Sequence, residues 1–112
     1  MRARKAHLPD ADSIHRLIRS LSFDGTLLPR SPAEIYENIR DFTVVETSEG
    51  EFVGCGALHL YGPHLAEIRS IAVNRQAQKH GAGAVLIDAL LQEAESHSVP
   101  CVCLFTRIPA WT

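Results

Sequence analysis

The densest chemistry in the chain lies in Gln78-Lys79-His80-Gly81-Ala82-Gly83-Ala84. The segment follows a β-rich run at residues 68–73 and opens a long stretch of helical periodicity beginning near Ala82. Glycine at Gly81 and Gly83 lets the backbone turn tightly and approach a ligand closely. The N–H groups in a helix's first turn lack intrahelical partners and attract anions. In physical terms this is a pyrophosphate seat, and equally a tight turn into a helix. It is not the dinucleotide fingerprint, which needs G-x-G-x-x-G, nor a P-loop, which needs G-K-[ST].

The cysteines offer less. Cys55, Cys101 and Cys103 are odd in number and form no C-x-x-C pair, which argues against a disulfide framework and a structural zinc site. No metal is expected. Cys101 and Cys103 sit two apart in an apolar run, so a strand would place both on one face as small core residues. Reduced thiols fit a cytoplasmic location.

Eleven Lys and Arg against 13 Asp and Glu give a formal charge of −2, so no basic field for nucleic acid exists. No apolar run approaches the ~20 residues that span a bilayer. The basic start Met1-Arg2-Ala3-Arg4-Lys5-Ala6 lacks the apolar stretch of a signal peptide. Nucleic-acid binder, membrane protein and secreted precursor are thereby set aside. At 112 residues, 46% hydrophobic and 21% charged, the chain reads as one globular domain, residues 1–112, with a core but little surplus.

Periodicity supplies the elements that must position the loop. Residues 2–8 read as a short polar strand. Asp10 reads as an N-cap, and Ile14, Leu17, Ile18 and Leu21 mark the buried face of a first helix. Asp24-Gly25 is a turn signal. Ser31-Pro32-Ala33-Glu34 is a capping box that starts a second helix, with Ile35, Ile39 and Phe42 on or near one face. Residues 42–47 and 52–60 read as a hairpin, residues 66–73 as a fourth strand and 74–80 as a loop. A third helix over about residues 82–96 and a buried last strand at 101–106 complete the order β-α-α-β-β-β-α-β.

In this context the loop resembles the pyrophosphate motif of the GNAT acetyltransferases, [Q/R]-x-x-G-x-[G/A] between the fourth strand and third helix. The element order matches as well. Within that family the chain is similar to the acetyltransferase domain of N-acetylglutamate synthases. The matching segments are Leu27-Leu28-Pro29-Arg30-Ser31, Ile39-Arg40-Asp41-Phe42-Thr43-Val44, Gly54-Cys55-Gly56-Ala57-Leu58, Ala66-Glu67-Ile68-Arg69-Ser70-Ile71-Ala72-Val73 and Leu104-Phe105-Thr106-Arg107. They span nearly the whole chain in the family's order.

The resemblance implies an α/β fold, a GNAT-like mixed β-sheet with flanking helices. It also implies acetyl transfer from acetyl-CoA to the α-amino group of an amino acid, with L-glutamate as acceptor and arginine biosynthesis as context. The fourth strand would carry a bulge and splay from the fifth. The pantetheine arm would pair with Ile71, Ala72 and Val73, and the pyrophosphate would sit on the N–H groups from Gln78 to Ala84. A strand amide near Ile71 would polarise the thioester carbonyl. Glu67, at the mouth of the strand, is the candidate general base, or else a solvated strand-end carboxylate. Arg30 and Arg107 would hold substrate carboxylates, a task suited to planar guanidinium groups, or else be surface arginines. His59, taken to end the third strand, would line the same pocket or act as a half-exposed packing residue.

The chain departs from the family pattern after the fifth strand. A helix that usually carries a tyrosine to protonate the leaving thiolate would begin where the sequence stops, with Trp111 near its first aromatic position; Tyr36 and Tyr61 lie elsewhere. The expectation is a fold lacking its C-terminal helix and strands, with weak turnover or, as the alternative, a catalytically silent CoA-binding or regulatory module, and a homodimer or higher oligomer joined along the last strand and the tail.

Overall fold

The structure, a computed structural model, describes residues 1–23 and 29–104. Strands β1 (Arg2–Lys5), β2 (Phe42–Glu46), β3 (Phe52–Gly62), β4 (Leu65–Val73) and β5 (Cys101–Leu104) form one sheet in sequence order. β1 to β4 are antiparallel neighbours, whereas β5 pairs with β4 in parallel. A parallel neighbour needs a crossover, and α4 (Ala82–Ser96) supplies it. Helices α1 (Ala11–Phe23) and α2 (Pro32–Glu37) lie between β1 and β2 in the chain, and the one-turn helix α3 (Arg75–Gln78) precedes α4.

Alternation along the strands splits the core into two. Ile14, Ile18 and Leu21 of α1 and Ile35 of α2 pack with Phe42, Val44, Cys55, Ala57 and Ala72. Leu86, Leu90 and Ala94 of α4 pack on the other face with Val45, Leu58, Ile68 and Val73. Consecutive residues Val44 and Val45 thus face opposite helices, as a period of two demands. Gly56 makes the second packing possible. A Cβ there would come within 3.1 Å of Leu90 and 3.3 Å of Leu86, so α4 lies closer to β3 than a side chain would allow.

Several sequence expectations need correction. The first strand stops at Lys5 rather than residue 8, because Leu8–Asp10 coils into a 3-10 turn. Asp10 does not cap α1. Its carboxylate instead accepts from the His7 N–H at 2.7 Å and from two nitrogens of the Arg4 guanidinium at 2.9 Å. The Ser31 capping box forms as expected, with Glu34 N–H donating to the serine hydroxyl and Ser31 N–H to the glutamate. Its helix lasts six residues, and Ile39 falls in a second 3-10 turn, Ile39–Asp41. The expected loop at 74–80 contains α3, started by Asn74, whose side chain accepts from the Gln76 N–H.

Cys101 and Cys103 are not core residues either: Cys101 is exposed and Cys103 half-buried. On β5 it is Val102 that faces the α4 core, and on the opposite face α1 packs on β3 and β4. The Asp24-Gly25 turn, Leu27 and Leu28, the end of the predicted last strand at Phe105 and Thr106, and Arg107 and Trp111 lie outside the described residues. No described helix is long and apolar enough to cross a membrane.

Candidate active site

The site is organised by one irregularity in β4. Arg69 pairs with Ala57 and Ala72 with Cys55, so β4 uses three residues where β3 uses two. The extra residue is Ser70, held at φ +57°, a value rare for a side-chain-bearing residue. The insertion reverses the parity of the strand. Before it, Ile68 faces α4; after it, Val73 faces α4 and Ala72 faces α1. The bulge that the family resemblance led us to expect is therefore present. The described pairing of β5 with β4 runs from Leu65↔Cys101 to Ile68↔Leu104, below the bulge.

The C-terminal end of β4 leads to the glycine loop. The Gln78 side chain folds back and donates to the Val73 carbonyl at 2.9 Å, tying the loop to the strand. His80 N–H donates to Ala77, closing the turn. Gly81 then sits at the N-cap of α4 with φ +83°, a left-handed conformation that suits glycine. The first bond of the helical ladder runs from Val85 N–H to Gly81 C=O at 3.2 Å, so the amides of Ala82, Gly83 and Ala84 precede it. Lys79, His80, Gly81 and Ala84 are exposed, and a Cβ on Gly83 would meet nothing within 4 Å. Open space in front of three amides at a helix start fits an anionic group. Ala82 is fully buried, so only its backbone can face a ligand.

A cleft lies on the α1 and α2 face of the same strand. Arg30, Glu34, Ile35, Asn38, Asp41, Phe42, Ala57, Arg69 and Ser70 line it. Arg30 Nε donates to the Ser70 hydroxyl at 3.2 Å, and its Nη1 lies 3.6 Å from Glu34. Arg69 points to the same side, with Nη1 3.9 Å from Glu67 Oε1. The Glu67 side chain is largely covered and receives a 2.6 Å hydrogen bond from the Tyr61 hydroxyl.

His59 does not end its strand, since β3 continues to Gly62. It sits opposite Glu67 in the ladder, its Nδ1 meets Asp41 Oδ2 at 3.0 Å, and its ring packs edge-on against Tyr61. The structure therefore gathers Arg30, His59 and Glu67 on one face, with residues 71–73 linking them to the loop at 78–84. Arg107 lies outside the described residues. Arg69, Ser70, Asp41 and Tyr61 were missed from sequence. Arg69 and Tyr61 each stand two residues from a chosen candidate on the same strand, and that spacing was the available signal. Among the described residues no group of three or more His, Cys, Asp or Glu side chains is placed to hold a metal.

Comparison with known proteins gives a consistent result. Residues 12–109 match the profile of the acetyltransferase (GNAT) family. An uncharacterized N-acetyltransferase of Chlorobaculum tepidum is 40% identical over 85 residues, covering 76% of this chain and 54% of the relative. An amino-acid acetyltransferase of Mycobacterium tuberculosis is 34% identical over 105 residues, covering 92% of this chain and 60% of the relative. The crystal structure of N-acetylglutamate synthase from Neisseria gonorrhoeae, complexed with coenzyme A and N-acetyl-glutamate, superposes with a TM-score of 0.86 at 31% identity. That match covers 93% of this chain and 24% of the synthase chain. The chain thus spans little more than half the length of the first two relatives and about a quarter of the synthase.

Proposed function

The chain belongs to the GNAT acetyltransferase family, and on that premise we propose that it binds acetyl-CoA and transfers the acetyl group to the α-amino group of an amino acid, with L-glutamate as acceptor. Such a reaction would place it in arginine biosynthesis. The observation that carries the reading is the arrangement along β4. From Val73 beside the glycine loop, β4 runs about 20 Å through the Ser70 bulge to Glu67. One strand thus joins an anion-binding helix start to a carboxylate 3.9 Å from Arg69, which lines the cleft together with Arg30. The amino-acid acetyltransferase similar over 92% of the chain and the synthase solved with coenzyme A and N-acetyl-glutamate support the same assignment.

When bound, acetyl-CoA supplies the activated acyl group. The chain's own residues do the rest. The amides of residues 82–84 hold the pyrophosphate, and the backbone of residues 71–73 aligns the arm. Arg30, steadied by Ser70, pairs with a substrate carboxylate. Glu67 takes the proton that the ammonium group must lose before it can attack.

The test is acetylation of single amino acids by the purified chain, with products identified by mass. N-acetylglutamate should form fastest. Arg30→Gln should reduce the preference for glutamate over neutral amino acids by about 10–100-fold, the value of a charge-assisted hydrogen bond. Equal rates with neutral amino acids would remove glutamate as the acceptor. Binding of acetyl-CoA without turnover of any amino acid would make the chain a silent CoA-binding module.

A further inference from the structure

We propose that Tyr61 is a positioning residue that fixes the Glu67 carboxylate for proton removal, itself held by the Asp41–His59 pair, so that Oε2 is the oxygen presented to the amine. The inference rests on the reading of Glu67 as the base.

Two strands supply the contacts to this carboxylate. β3 carries His59 and Tyr61, two residues apart and therefore on one face. Beyond Leu60, which pairs with Ala66, the register shifts so that Gly62 meets Leu65. At this irregular end of the hairpin the Tyr61 hydroxyl meets Glu67 Oε1 at 2.6 Å, the short length of a hydrogen bond to an ionised acceptor. Arg69 approaches the same oxygen at 3.9 Å. Both contacts thus fall on Oε1.

The tyrosine is supported in turn. The residue is 57% exposed, so burial alone does not hold it. His59 packs against it edge-on, with centroids 4.9 Å apart and planes at 82°. The His59 ring is fixed by Asp41 in the 3-10 turn, 3.0 Å from Nδ1. The line Asp41, His59, Tyr61, Glu67 joins that turn, β3 and β4 on the cleft face. The Glu67 carboxylate, through this hydrogen bond above all, holds the Tyr61 phenol above its usual range. The other titratable or charged groups facing the pair are Arg69 on β4, His59 on β3 and Cys103 opposite Glu67 on β5. An exposed hydrogen bond orders two side chains for little stability. A bond that aims a catalytic oxygen returns its value in rate.

The experiment is a double-mutant cycle on the full chain with acetyl-CoA and L-glutamate, together with a tyrosine titration. Tyr61→Phe should lower kcat about three- to tenfold, with the KM for acetyl-CoA and the melting temperature unchanged. In the Glu67→Gln background, whose slow residual turnover is followed by product mass, Tyr61→Phe should cost nothing more. In a Tyr36→Phe background, where Tyr61 is the sole tyrosine, Glu67→Gln should lower the pH at which the phenol ionises. Full kcat in Tyr61→Phe beside a crippled Glu67→Gln would overturn the positioning role and leave the base in place. Additive losses, or a phenol titration indifferent to Glu67, would overturn it as well. A fully active Glu67→Gln would remove the base and the positioning residue together.

Discussion

Two glycines in the loop do different work, and substitution separates them. Gly81 is needed for its conformation: at φ +83° any side chain is strained, although a Cβ would meet nothing within 4 Å. Gly81→Ala should therefore cost about 1 kcal/mol of stability. Gly83 is needed for the space before it. It lies inside α4, and its missing Cβ also faces open room. Gly83→Glu should leave the melting temperature unchanged or raise it, since glycine is a poor helix residue. It should also set a carboxylate before the amides of the first turn and weaken CoA binding at least ~10-fold. Calorimetry with both variants checks this; a Gly83→Glu chain that binds CoA as wild type does would move the pyrophosphate elsewhere.

At the same scale, what could be read in advance was local. Gln78, Gly81 and Gly83 stand in a fixed spacing, and the Ser31–Glu34 box is four consecutive residues. Ser70 could not be found that way, and for Tyr61 only its two-residue spacing from His59 was legible, not its partner. The left-handed Ser70 follows from how β4 registers against β3, and the Tyr61–Glu67 bond from a shift in register at the hairpin's end. A serine or a tyrosine carries no mark in sequence of the strand that will lie beside it. His59 was misplaced for a related reason: β3 extends to Gly62, whereas the Gly62-Pro63 pair reads as a turn that ends the strand earlier.

Among the elements, α4 was legible because its apolar residues recur at helical spacing, and Leu86, Leu90 and Ala94 do form the buried face. The closeness of its approach was not, because it depends on Gly56 two elements away. Gly56→Val would place branched carbon where Leu86 and Leu90 already sit at 3.1–3.4 Å from a bare Cβ. It should destabilise the chain by about 1–3 kcal/mol, the usual cost of overpacking, as a lower urea midpoint at unchanged slope. An unchanged midpoint would show that α4 can shift outwards freely. α3 escaped notice because a single turn, capped by Asn74, offers no period to detect.

For the molecule as a whole, an ionic clip closes the sheet's first edge. Glu46 on β2 accepts from Arg2 and Arg4 of β1, and Arg4 reaches on to Asp10 at the start of the helical layer. Asp10 is held below the ordinary carboxylate range chiefly by its hydrogen bonds from Arg4, and Glu46 chiefly by those from Arg2. Groups with lowered values contribute stability that is fully present above their unfolded values, roughly 4. That contribution is lost as pH falls through the lowered folded values. Melting temperatures should therefore hold steady from neutral pH to about 5 and drop below about 4. Arg4→Met should melt lower at pH 7 and show a shallower acid decline. The same acid decline in both proteins would mean that the clip contributes nothing.

The whole-molecule claim is that β4 joins a CoA seat to an acetyl-transfer cleft. Its most direct test is a backbone amide NMR titration with CoA, practical for a chain of 12.3 kDa. The account predicts that saturating shifts concentrate on the amides of residues 71–73 and 78–84, and that subsequent N-acetyl-glutamate perturbs Arg30, Glu67, Arg69 and Ser70. Shifts confined to other surfaces, or no response to CoA at millimolar concentration, would contradict it.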